Sequence, residues 1–241
     1  MPEAGFRGTC RLCEAVDTAV VCAGPARPDP ASDSRETDRV ASMASLCTVV
    51  DAMSEALSLL QHRHSVPSRQ LGAPAPDEAT LRELLAAAIR VPDHGKLVPF
   101  RLIRLDGEAK LRFGERLAEL AIRKQPELSD AKREKEQLRY TFAPLVIAVI
   151  ARIDAGSSVP EIEQRLCAGT VAYNILLGAH ALGFGAQWLT GWAAYDPDVA
   201  ALLQLAANEH VAAFVHIGTP QLDVPDRERP VLDDLLTTWA P

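Results

Sequence analysis

Apolar residues recur at helical spacing from Asp51 to Gln61, where Leu57, Leu59 and Leu60 draw one face inward. A polar turn follows, and Pro76-Asp77-Glu78 opens a second helix with Leu81, Leu84, Leu85 and Ile89 on one side. Pro99 to Leu105 alternates as a strand does. Gly107 to Leu120 returns to helical spacing, and Ser129 to Leu138 predicts a highly charged helix with a solvated face. Leu145 to Ala151 is a continuous apolar, β-branched run, the mark of a strand covered on both faces. Pro160 to Leu182 reads as a long helix, Ala186 to Leu189 as a strand, Pro197 to Leu203 as a short helix, and Val211 to Ile217 as another buried strand. Helices outnumber strands without a regular βαβ alternation. The pattern predicts an α+β fold, a central mixed β-sheet wrapped by helices.

The long helix carries Ala168, Gly169 and Ala172 in its middle. Small residues there admit close approach of another helix, either within the protomer or across a subunit interface. From Leu166 to Tyr195 there is no charged residue, which passes a crude length test for a membrane span. His180, Asn174, Gln187 and repeated glycines break that stretch into a core helix leading to a buried strand, so no membrane association is expected.

The first residues form a different kind of sequence. Acids and bases interrupt every apolar run before Gly24, which excludes a secretory signal, and Gly24 to Ser34 with Pro25, Pro28 and Pro30 reads as an unstructured linker. Residues 1–47 are therefore expected to be a disordered extension, or to reflect a translation start placed upstream of the functional one. The folded domain is then 48–241. Four of the five cysteines (Cys10, Cys13, Cys22, Cys47) fall in that extension. Cys10-Arg-Leu-Cys13 has zinc-knuckle spacing but lacks a second ligand pair, so no metal is expected. Lys and Arg total 25 against 32 Asp and Glu, a net charge of −7. That average field argues against a nucleic-acid partner, and the cytoplasm is the expected compartment.

Three segments could carry chemistry. His62-Arg63-His64-Ser65 closes the first helix, and an Arg with a hydroxyl two residues on can grip a phosphate through guanidinium and hydroxyl donors. Arg90-Val-Pro92-Asp93-His94 places Arg90 and His94 at a helix end and its loop, where binding residues concentrate. Asp93 beside His94 suggests acid–base chemistry, but no serine or cysteine stands in a nucleophile context to complete a triad. No catalytic side chain is therefore assigned, and Cys167, inside an apolar helix, reads as core. Gly183-Phe-Gly185 through Trp188-Leu189-Thr190-Gly191 precedes a strand, whereas a dinucleotide fingerprint follows one. An aromatic, a hydroxyl and a glycine at a strand end suit a flat heteroaromatic ligand.

Taken in this order, the segments resemble the FMN-dependent nitroreductase family, most closely its compact YdjA-like branch. Arg63-His64-Ser65, Pro74-Ala-Pro76, Arg90 to His94 with Pro99-Phe100, Ala143-Pro144, Gly183 to Gly191 and Ile217-Gly218-Thr219-Pro220-Gln221 carry the likeness, which spans about Ser54 to Trp239. The resemblance implies a homodimer with FMN at the subunit interface. It implies that Arg63, His64 and Ser65 hold the phosphate and ribityl chain. Arg90 and His94 would reach in from the neighbouring subunit, while Trp188, Leu189 and Thr190 would line the isoalloxazine. Gly178, Ala179, His180, Ala181, Leu182 and Gly183 match a stretch associated with NAD(P)H, and Arg229 offers a further phosphate contact.

The implied activity is ping-pong hydride transfer from NAD(P)H to a nitroaromatic, a quinone or another small acceptor. A non-catalytic flavin carrier or regulator on the same fold is the alternative. Flavin chemistry belongs to the cofactor, so no triad or metal cluster is required. The chain departs from the family pattern at His64, at Leu97-Val98 with Phe100, and at Leu189, where related sequences carry a base.

Overall fold

The computed structural model describes residues 55–240; the extension expected over residues 1–47 and its four cysteines lie outside them. Residues 55–62 form α1, the described part of the helix expected from Asp51. Leu71–Gly72 is β1, Glu78–Ala88 α2, Phe100–Asp106 β2, Gly107–Lys124 α3 and Asp130–Arg139 α4. Leu145–Arg152 is β3, Glu161–Ala181 α5, Gly185–Leu189 β4, Pro197–Leu202 α6 and Glu209–Pro220 β5. The Asp77 carboxylate accepts from Thr80 N at 2.8 Å and so caps α2. Asp196 does the same for α6, accepting from the amides of Asp198 and Val199, and Pro197 in the first turn has no N–H to satisfy.

The sheet runs β1-β5-β3-β2, with β4 also paired to β5, and every pairing within the described residues is antiparallel. Because β3 is sheathed on both sides, it explains the unbroken apolar run. Leu145, Ile147, Val149 and Ala151 face α2 and α5, while Val146, Ala148 and Ile150 face α3 and Tyr140. On β5 the alternation slips. Val149 pairs with Ala213 but Ile150 with Val211, so a bulge lets Val211 and Phe214 share one face despite their odd spacing. As the pattern predicts, α4 buries no side chain. Among the described residues no helix is long and apolar enough to cross a membrane.

The small residues of α5 are taken up inside the protomer. Ala168 and Ala172 are fully buried against the sheet, and a Cβ on Gly169 would meet the Trp188 ring at 3.7 Å. The uncovered stripe of the helix is instead Ile162, Leu166 and Tyr173, spaced four and seven residues apart.

Candidate functional site

Arg63 follows α1 directly, its amide still bonded to Leu59 O at 3.0 Å. The next two residues leave the helix, and Val66 N donates to Ala186 O of β4 at 3.1 Å. Ser68 N donates to the Gln187 side chain at 2.6 Å. The chain from Arg63 to Ser68 therefore lies along β4, and it brings the first predicted segment beside the Trp188-Leu189-Thr190 strand end. Two segments about 120 residues apart in sequence thereby lie side by side.

At one end of that pair cations gather. The His64 ring meets His180, from the last turn of α5, edge-on with centroids 5.8 Å apart. Arg229 Nη2 donates to Arg63 O at 3.2 Å and pairs with Asp226. Partial burial pushes His180 below the usual histidine range, and the positive charge of His64, Arg63 and His62 pushes it the same way. Asp226 sits low chiefly because Arg229 hydrogen-bonds it. Arg63, His64, His180 and Arg229 thus bring several N–H donors near one another with Asp226 as the acid among them, a chemistry that would suit a phosphate. Arg229 lies beside Arg63, the first residue of the predicted phosphate segment.

At the other end a cleft of about 470 Å³ opens between β4, the Pro67–Arg69 segment and α4. Trp188, Leu189 and Thr190 are half-buried on one wall, and Tyr140 and Phe142 lie opposite. Such a slot admits a flat ring. A phosphate grip beside the strand that ends in an aromatic-walled slot has the polarity of a ring ligand with a phosphorylated tail.

The Nitroreductase family profile matches residues 60–219. This chain belongs to the nitroreductase family. "Putative NAD(P)H nitroreductase YdjA" of Escherichia coli (strain K12) is 33% identical over 169 residues, covering 70% of this chain and 90% of its own. The crystal structure of the Nitroreductase-like Family Protein from Bacillus cereus matches with a TM-score of 0.65 at 19% identity, over 76% of this chain and 94% of that one. That of Nitroreductase with Bound FMN from Bacteroides fragilis NCTC 9343 matches at 0.59 and 18%, over 77% and 99%.

In this nitroreductase chain Arg90 and His94 do not join that site. Arg90 is exposed just beyond α2, and His94 Nδ1 bonds Glu163 at the start of α5 at 2.7 Å. Glu163 and His180 are seventeen residues apart on one helix, about 25 Å at 1.5 Å per residue. One protomer therefore holds His94 and the His64–His180 cluster at opposite ends of α5, while Arg90 lies nearer the middle, two residues past Ala88, whose carbonyl accepts from Asn174. Asp93 is not poised for acid–base work. Its two oxygens accept from the amides of Leu97 at 3.1 Å and Val98 at 2.9 Å. Those bonds hold Val98 at φ +49°, a conformation a β-branched residue adopts only under constraint.

The 178–183 stretch divides. Ala179 is fully buried and Gly178 packs against Leu84, whereas Ala181, Leu182 and Gly183 are exposed around the end of α5. Sequence reasoning missed the α4 wall altogether. The signal was there only as isolated bases, Lys135 and Arg139, in a helix already read as solvated. Cys167 is buried in the core.

Proposed function

We propose that the chain is an FMN-dependent NAD(P)H oxidoreductase that works as a homodimer and reduces a nitroaromatic, a quinone or another small acceptor. The observation that carries this reading is the Arg63 to Ser68 segment laid along β4, which sets the Arg63, His64, Ser65 and Arg229 cluster beside the strand that ends in the Trp188-Leu189-Thr190 slot. Arg63 and Arg229 would hold the phosphate of FMN, Ser65 would add a hydroxyl donor, and the Trp188 strand end would flank the ring. Bound there, FMN supplies a ring that accepts a hydride from NAD(P)H and passes it to the acceptor. The protein's share is to orient that ring, keep one face open and exclude water from the other. Of the 178–183 stretch, the exposed Ala181, Leu182 and Gly183 are the residues free to contact the nicotinamide dinucleotide. Dependence on NAD(P)H accords with a cytoplasmic enzyme.

The homodimer is supported by unpartnered surface. Ile162 and Leu166 on α5 are about 60% exposed. The C-terminal segment leaves Leu232, Leu235, Leu236 and Trp239 open as well, with Trp239 83% exposed. Exposed apolar residues clustered on one helix face and along one terminal segment suit an interaction site. A second copy seated on α5 would also bring a partner's Arg90 and His94 towards the site, from whose His180 the Glu163 bonded to one protomer's own His94 lies about 25 Å away along α5.

Purified protein is expected to be yellow, and anaerobic NAD(P)H is expected to bleach its flavin absorbance. A flavin that stays oxidised would identify a carrier instead. Replacing Arg63 by Ala removes a charge-assisted phosphate contact worth about 1.5–3 kcal/mol, a loss of FMN affinity of roughly 10- to 150-fold. Fluorescence titration of the apoprotein with FMN measures it, and unchanged affinity would refute the phosphate role.

A further inference from the structure

The slot beside Trp188 is more positive than the reading above requires. The chain carries a net charge of −7, yet the slot is lined by Arg69, Lys135 and Arg139 and by no carboxylate. Arg139 is placed there by its surroundings. Its Nη2 donates to Glu136 at 2.9 Å, and Glu136 is itself fixed by the Trp192 indole N–H at 2.8 Å. The guanidinium lies over Gly191, whose φ is +60° and where a Cβ would stand 2.9 Å from Nη1. Glycine is thus required twice, by its backbone conformation and by the arginine that fills the space above it. Lys135 and Arg69 are exposed at the slot and take part in no ion pair among the described residues. Glu136 offsets the charge of Arg139, which leaves Lys135 and Arg69 as the uncompensated cations at the cleft and a net positive field for an anion that enters.

We propose that this slot selects an anionic substrate: a flat aromatic ring, or a dinucleotide, that presents a carboxylate, sulfonate or phosphate to Arg139, Lys135 and Arg69. The inference rests on the flavin reading of the same site and adds the chemical class of what meets the flavin. Arg139 supplies a pre-organised guanidinium fork for two oxygens, Lys135 and Arg69 supply adjustable charge, and Glu136 is a positioning residue that holds the fork in place. The anion has two sources, an acid group on the electron acceptor or the 2′-phosphate of NADPH.

Binding separates these sources without relying on turnover. FMN-loaded protein is titrated by equilibrium dialysis with 4-nitrobenzoate and with its neutral shape-mate 4-nitrobenzamide, then with adenosine 2′,5′-bisphosphate and with 5′-AMP. At low salt the more anionic member of at least one pair is expected to bind about tenfold tighter or more, from one charge-assisted contact. In 0.5 M salt that preference shrinks, because exposed charges are screened within a few ångströms. Preference in the first pair assigns the site to the acceptor, and preference in the second to NADPH. Arg139→Gln and, separately, the fully surface-borne Lys135→Gln are each expected to lower the anionic-to-neutral affinity ratio several-fold. The ratio for kcat/KM should follow.

Equal binding within both pairs, or a ratio untouched by either variant, overturns the proposal while leaving the flavin reading intact. Loss of FMN itself from the Lys135 and Arg139 variants would show that the cations serve the cofactor, and would overturn it too. Protein that neither retains FMN nor bleaches with NAD(P)H instead removes the flavin reading beneath it.

Discussion

Between pH 6.5 and pH 3 the protein is expected to lose about 4–5 kcal/mol of folding stability through one residue, His216. The imidazole is fully buried on β5 and neither ring nitrogen has a hydrogen-bond partner. Burial, with the charges of Lys110 and Arg139 acting in the same direction, drives its pKa down to about 3. Tyr140 packs against it with ring centroids 5.4 Å apart, and its own hydroxyl is buried and pushed upward, so it offers no counter-charge. Above pH 6.5 the ring is neutral in both folded and unfolded chains and contributes nothing to pH dependence. Below that, the unfolded chain takes up a proton that the folded chain refuses until about pH 3. Stability therefore falls by about 1.4 kcal/mol per pH unit across the window. At pH 4 that is about 3 kcal/mol, a large part of a typical total. Urea unfolding of wild type and His216→Phe at pH 7 and pH 4 tests it. The other acid-sensitive group of large shift, Glu209, is held down to about 2 mainly by its hydrogen bonds to Arg101 and is common to both proteins. The wild type should lose about 3 kcal/mol more than the variant, whatever their starting difference, and parallel losses would refute the assignment.

His216 also shows where the sequence stopped being readable. Val211 to Ile217 announces a buried strand by its apolar run, and the single histidine within it looks like a tolerated interruption. Only the fold reveals that both faces of β5 are covered there. The strand at 145–151 was legible because two covered faces forbid polar residues at every position, and that constraint is written in consecutive letters. β1 was not legible. Two residues, Leu71 and Gly72, carry no period, and they are a strand only because the end of β5 offers them a partner at Thr219 and Pro220. The site divides in the same way. Its Arg63 and Trp188 segments stand out in the sequence, since each is a local cluster with its own chemistry. Arg69, Lys135 and Arg139 are single bases scattered over 70 positions, and only the meeting of α4 and the Pro67–Arg69 segment at the end of β4 collects them. Asp93 stands beside His94 in sequence, an adjacency that alone suggests acid–base chemistry. In space its oxygens belong to the backbone of Leu97 and Val98.

Phe214→Ala is expected to cost about 3–5 kcal/mol and to damage the substrate slot as well as the core. Phe214 is fully buried at the centre of the sheet face that meets α3. Its ring stands edge-on to Tyr140 at 4.9 Å and tilted against Phe113 at 6.0 Å, contacts that add to the area it buries. The cavity left by truncation cannot collapse readily, because β3 and β4 pair with β5 on its two edges and fix its backbone. Tyr140 would take up the slack, and Tyr140 is the residue through which the core reaches the slot. It is also tethered from below: Lys110, itself buried, donates to the carbonyls of Thr141 and Ala143 that follow it. Loss of Phe214 should therefore loosen one wall while leaving the Arg63 grip untouched. Phe142→Ala is the contrasting case, a slot residue 41% exposed that should change stability by no more than about 0.5 kcal/mol. Phe214→Leu, which keeps most of the volume, should recover the larger part of the loss. Unfolding curves rank the three variants, and the ligand affinities of the slot read the second effect. If Phe214→Ala unfolds like Phe142→Ala, the sheet face is not the rigid support of the slot that its packing describes.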